Sequence, residues 1–185
     1  VVEATLPLSG SSREREELFS DQRERTQKQM NTITAYSPIN GLSQKVSKIF
    51  FGTATGPLLE GKNADELLDG AAERGINAFD CARSYGYAEE VLGDWMKRRG
   101  NRERVIVLSK CGDIRDGIVK VNRKVSGEQL AVSLKALQTA YIDIYLLHRD
   151  DPDTPVSELI NTLNEAKRAG KIRVFGVSNW TVDTT

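Results

Sequence analysis

Asp80, Tyr85, Lys110 and His148 are residue types suited to moving a proton onto a carbonyl oxygen. A tyrosine with an ordinary pKa of about 10 is a poor acid at neutral pH. A neighbouring ammonium favours the phenolate and eases donation to a developing alkoxide, the part Lys110 would play. A lysine drawn into an interior needs a carboxylate to fix its charge and direction, and Asp80 is the natural partner. His148, the only histidine of the chain, would donate a hydrogen bond to a substrate oxygen. Ser178 and Asn179 offer a hydroxyl and an amide that match a planar carboxamide such as that of nicotinamide. Together these groups describe carbonyl reduction, with hydride from a cofactor and a proton from Tyr85.

Position gives the set its coherence. Asp80, Lys110, His148 and Ser178-Asn179 close the apolar runs INAFD, VIVLSK, YIDIYLLH and IRVFGVSN. An earlier run, VSKIFFGTA, reads as a first strand ending at Gly52-Thr53. Helical patterns lie between the runs. Asn63 and Glu66 form a capping box ahead of Ala64, Leu67, Leu68, Ala71 and Ala72. Ala88, Val91, Leu92, Trp95 and Met96 form a second stripe that stops at Gly100. Ser126 and Gln129 cap a third helix with Leu130, Leu134 and Leu137 inward, and Thr154-Pro155 opens a fourth with proline at its first position. Strand–helix alternation predicts an α/β fold, a parallel sheet covered by helices, with its chemistry at the carboxyl ends of the strands.

Five strands and four helices occupy residues 46–180. A complete eight-stranded barrel takes about 250 residues. The chain is therefore expected to hold about five of the eight strand–helix units of a (β/α)8 TIM barrel, cut off rather than completed. An open five-stranded sheet with helices on both faces also fits the length.

Each residue has a plainer reading. Asp80 and Lys110 could be a structural ion pair, His148 a satisfied interior histidine, Tyr85 a loop aromatic and Ser178-Asn179 a turn. Cys81 and Cys111 follow Asp80 and Lys110, so strand alternation turns both toward the helix layer as packing residues.

Composition narrows the classes. The 185 residues carry 26 basic and 26 acidic side chains, so no global field argues for nucleic acid. No apolar run approaches the roughly 20 residues that span a bilayer, and the first residues lack the pattern of a signal peptide. Two cysteines make no disulfide framework, so a reducing cytoplasm is the default expectation, and no zinc-ligand spacing is present. Residues 1–44 read as a polar extension or linker, nearly all charged and polar from 11 to 31, ahead of a barrel segment at 45–185. No G-x-G-x-x-G follows a strand, and Walker and G-x-S-x-G motifs are absent.

The motifs INAFDCARSYGYAEEVLG, VIVLSK, IDIYLLH and GKIRVFGVSNW resemble, in order and spacing, those of the aldo-keto reductase family. The first is the most specific, with Asp, Tyr-Gly, Glu and Leu-Gly in a fixed frame. The resemblance implies that Asp80, Tyr85, Lys110 and His148 are a catalytic tetrad. It implies cofactor contacts from Gly52, Thr53, Asp80, Ser178 and Asn179, with NADPH, or less often NADH, as cofactor and small aldehydes or ketones as substrates. LLHRDDPDTPVSELINTLNEAKRAGKIR resembles the bacterial branch related to aryl-alcohol dehydrogenases. The resemblance further implies that three missing units would carry the pyrophosphate loop and the residues reading a 2′-phosphate. The segment alone is then expected to be a weak or inactive catalyst with exposed sheet edges. A non-catalytic regulatory subunit of the same fold and an inactive fragment remain the alternatives. The short hairpin that plugs the barrel bottom in this family is not evident in residues 1–45.

Overall fold

Alternation within each strand decides which side of the sheet a residue serves, and the computed structural model describes this for residues 35–112 and 121–181. The polar stretch at 11–31 lies outside the described residues. A two-stranded antiparallel hairpin, β1 (Tyr36–Pro38) and β2 (Lys45–Ser47), precedes five parallel strands. These are β3 (Phe50–Gly52), β4 (Ala78–Asp80), β5 (Ile106–Cys111), β6 (Ile142–Leu147) and β7 (Ile172–Val177). They lie side by side in chain order. The connections carry α1 (Gly56–Leu59) and α2 (Asp65–Glu73), then α3 (Ala88–Arg99), α4 (Arg123–Ala136) and α5 (Val156–Arg168).

Two apolar clusters divide the sheet by face. Phe79, Val107, Tyr145 and Leu147 pack with Leu68, Leu92, Trp95, Leu130 and Leu159 of the helices. Ala78, Ile106 and Ile144, from alternate positions, pack with Val46, Ile39 and Leu42 of the hairpin region, with no helix residue among them. The described helices therefore cover one face. Sequential strand order without a reversal is barrel winding; an open doubly wound sheet would place helices on both faces. The fold is α/β, a partial (β/α)8 barrel.

The sequence reading needs correction at the start of the ordered region. VSKIFFGTA is not one strand. Ser47 ends β2, and its hydroxyl donates to Ile49 O (2.8 Å) and accepts from the backbone of Asn77 and Ala78 (3.2 Å each). That side chain takes the place of a ladder and lets the chain turn before β3. Residues 36–44, grouped by composition with the polar extension, form the hairpin together with Lys45–Ser47. The turn residues mask the hairpin in the sequence, because within 36–44 only Ile39 and Leu42 join Val46 in the apolar cluster.

Helix boundaries shift for similar reasons. In α2 the buried residues are Leu68 and Ala71, while Leu67 is exposed. Asn63 accepts from Asp65 N (2.8 Å), one residue short of the expected cap. α4 begins earlier than Ser126, because Asn122 caps it by accepting from Val125 N (3.0 Å). Gln129 instead accepts from Gly112 N (2.8 Å), tying the helix to the end of β5. Pro155 sits at the cap of α5 rather than in its first turn. α3 follows expectation, with Ala88, Val91, Leu92, Trp95 and Met96 buried and Gly100 closing it at φ +56°. Among the described residues no helix is long and apolar enough to cross a membrane.

Candidate active site

The inward-facing register that buries Ala78, Ile106 and Ile144 continues, two and four residues on, to Asp80, Lys110 and His148. Asp80 lies opposite Gly52 on β3. Its carbonyl oxygen accepts both the Thr53 N–H (3.0 Å) and the Thr53 hydroxyl (2.9 Å). The Thr53 side chain is fully buried and committed to that contact, so it holds Asp80 in place. Gly52 by contrast borders open space, since a Cβ there would meet nothing within 4 Å.

Lys110 brings the set together. Its side chain is almost wholly buried, and Nζ donates to Asp80 Oδ1, to Cys81 O (2.9 Å) and to Tyr85 Oη (3.3 Å). Those contacts match the three donors of an ammonium. Nζ also stands 4.7 Å from the centre of the Tyr85 ring. The ring of His148 meets Tyr85 edge-on, with centroids 5.9 Å apart and planes at 80°. The arrangement can deliver a proton from a phenol whose remaining negative charge faces an ammonium, beside an imidazole.

Tyr85 reaches this position through a tight loop. Gly86 adopts φ +55°, and a Cβ there would collide with the Leu59 carbonyl oxygen, which accounts for the Tyr-Gly pair. Ser178 N continues the ladder to Leu147 O (2.8 Å). Asn179, at φ +59°, donates from Nδ2 to His148 O (3.0 Å) and to Ser178 Oγ (3.1 Å). Its amide group is thereby fixed against the backbone of His148, with its Oδ1 still available as an acceptor. Cys81 and Cys111 are buried in the helix-side cluster, and burial pushes their thiols up to about 12 and about 11. Neither is a thiolate nucleophile at neutral pH. Among the described residues no group of three or more His, Cys, Asp or Glu could hold a metal ion.

The sequence reading missed the support behind Tyr85. Glu89 is buried in the first turn of α3, where Oε1 accepts from Ser109 Oγ (2.6 Å) and Oε2 from Arg83 (2.7 Å). The available signal was an acid three residues before Leu92 and four before Gly93, on the flank of a buried stripe. Such an acid requires polar partners.

The sequence profile of the Aldo/keto reductase family matches residues 48–185. The chain belongs to the aldo/keto reductase family. It is 35% identical over 158 residues to the aldo-keto reductase YhdN of Bacillus subtilis, covering 80% of this chain and 48% of that protein. It is 32% identical over 136 residues to the aldo-keto reductase yakc [NADP(+)] of Schizosaccharomyces pombe, covering 70% of this chain and 40% of that protein. The aldo-keto reductase AKR11C1 of Bacillus halodurans, solved in a holo form, superimposes with a TM-score of 0.70 at 31% identity, covering 78% of this chain and 50% of that one. This aldo/keto reductase chain thus spans about half the length, or less, of these relatives.

Proposed function

We propose that the protein reduces aldehydes or ketones to alcohols with a reduced nicotinamide cofactor, NADPH or alternatively NADH. The observation that carries this reading is the Lys110 ammonium shared between Asp80 and the Tyr85 hydroxyl, with His148 edge-on to the same ring. A bound reduced nicotinamide supplies the hydride to the carbonyl carbon. Tyr85 Oη gives its proton to the carbonyl oxygen, and Lys110 stabilises the phenolate left behind. Asp80 fixes Lys110, and His148 orients the substrate oxygen.

The residues present fit the cofactor. Ser178 Oγ and Asn179 Oδ1 together offer a donor and an acceptor to a primary carboxamide. Gly52 leaves open space next to Asp80, and the fully buried Thr53 holds the Asp80 backbone beside it. The relative carrying NADP(+) in its name supports NADPH as the first choice.

The test is NADPH consumption with a panel of small aldehydes and ketones, comparing the protein with its Tyr85→Phe variant. Loss of about 10²-fold or more in turnover, with cofactor affinity kept, is the expected result for a removed proton donor. Equal turnover by the variant would sink the proton-donor assignment. Tight cofactor binding with no turnover of any carbonyl by either protein would favour a non-catalytic regulatory subunit of the same fold.

A further inference from the structure

Val107, Ser109 and Cys111 alternate along the side of β5 that faces the helices. Val107 and Cys111 join the apolar cluster there, whereas Ser109 places a fully buried hydroxyl between them. That hydroxyl donates to Glu89 Oε1 (2.6 Å), and Glu89 Oε2 accepts from Arg83 Nη1 (2.7 Å). Buried ion pairs are weak support for stability, because apolar side chains of similar volume often serve as well. A fixed carboxylate on a short hydroxyl contact supplies position instead, here that of α3 over β5. Tyr85 is tied to the same helix, since its carbonyl oxygen accepts from Ala88 N (2.9 Å), in the turn that carries Glu89. Lys110 follows Ser109 directly and points to the other face of the strand. One hydrogen bond on the helix side thus sets the two chain positions whose side chains meet on the inner side.

We propose that Ser109 and Glu89 are positioning residues for proton transfer from Tyr85, a role that rests on the carbonyl reduction inferred above. Both stand on the helix side of the sheet and act only through Lys110 and Tyr85. Their hydrogen bond holds the Lys110 ammonium where it stabilises the phenolate once the proton has passed to the carbonyl oxygen. The contact it governs is easily lost. Lys110 Nζ and Tyr85 Oη are 3.3 Å apart, just beyond the usual range for an N–H···O bond. A small shift of α3 along β5 therefore separates them, and the proton donor loses its charge partner while both side chains remain in place.

Ser109→Ala deletes the hydroxyl and Ser109→Thr keeps it. Ser133→Ala is the control, because it deletes a fully buried hydroxyl of α4 that has no hydrogen-bond partner among the described residues. Lys110 Nζ stands 4.7 Å from the Tyr85 ring centre, so a nuclear Overhauser contact between the Lys110 ε-methylene and that ring reads the geometry without turnover. The contact should be present in the native chain, Ser109→Thr and Ser133→Ala, and be clearly weakened in Ser109→Ala. NADPH-dependent turnover of Ser109→Ala should fall about tenfold, the equivalent of one hydrogen bond. Its KM and cofactor affinity should hold, and its solvent isotope effect should rise. An undiminished contact in Ser109→Ala would overturn the proposal. So would an equal loss in Ser133→Ala or Ser109→Thr, or a lost contact with native turnover. If no protein reduces any carbonyl while the contact weakens only in Ser109→Ala, the carbonyl-reduction reading fails and the positioning of Lys110 against Tyr85 stands.

Discussion

Arg83 and Glu89 form an ion pair of 2.7 Å directly behind the loop that carries Tyr85, with side chains 20% and 0% exposed. The same carboxylate accepts from Ser109, the residue before Lys110, and Arg83 N donates to Lys110 O (3.1 Å). The loop is therefore pinned to β5 at the point where Lys110 leaves the strand toward Tyr85. Geometry that brings an ammonium to a phenol depends on this anchor as much as on the two residues themselves.

Replacing Arg83 with methionine would leave the Glu89 carboxylate buried against a single hydroxyl. Losing one member of a buried pair costs about 3–5 kcal/mol, and partial exposure of Arg83 places the expected loss at the low end. Urea unfolding of Arg83→Met should show a clearly lowered midpoint. Glu89→Gln, which keeps an acceptor for Ser109, should lose less. Equal midpoints for Arg83→Met and the native chain would show that the pair does not hold the loop.

Gly93 lies where α3 crosses α4. A Cβ there would stand 2.5 Å from Ala136 O and 2.8 Å from Leu137 Cα, both backbone atoms that cannot rotate away. Alanine is favoured over glycine within a helix by about 1 kcal/mol, yet overpacking of this kind costs about 1–3 kcal/mol. Gly93→Ala is expected to lower the melting temperature. A stabilised variant would mean that the two helices can separate freely.

Much of this was legible in the sequence because strand alternation and strand-end placement are strong signals. Asp80, Lys110 and His148 share the parity of Ala78, Ile106 and Ile144, so one pattern predicts both the inner core and the candidate site. Turn geometry and side-chain capping were less visible. Ser47 breaks a continuous apolar run through its hydroxyl, and Asn122 outcompetes Ser126 as a cap. The burial of Glu89 was not legible, because its partners, Arg83 and Ser109, come from a loop and a neighbouring strand. Thr53, expected at the cofactor-side end of its strand, turns its hydroxyl to the backbone of Asp80.

The outer edges of β3 and β7 pair with no other strand among the described residues. Val177, near the end of β7, is 41% exposed. Unpaired edges recruit further strands. The 185-residue chain should therefore elute from a sizing column above its monomer mass, in a concentration-dependent way. Val177→Lys, which adds a charge on the edge strand, should shift elution toward the monomer. A concentration-independent monomer peak for the native chain would show that these edges are protected.

Asp69 links α2 to α3 by accepting from Arg99 Nη2 (2.6 Å) and from Trp95 Nε1 (2.8 Å). The Arg99 guanidinium first, and then the Trp95 N–H, hold its carboxyl down at about 2, against an ordinary value of 3.8. A folded-state pKa below the unfolded one means that the ionised form favours folding. That contribution is complete above the ordinary value and disappears as the pH falls through about 2. Asp69→Asn should therefore melt below the native chain at neutral pH, with the gap closing between 3.8 and about 2. The pair is solvent-exposed, so the gap should be modest and should narrow in high salt. Thermal melts across this range decide the point, and a gap that persists unchanged down to the lowest pH would rule out Asp69 ionisation as its source.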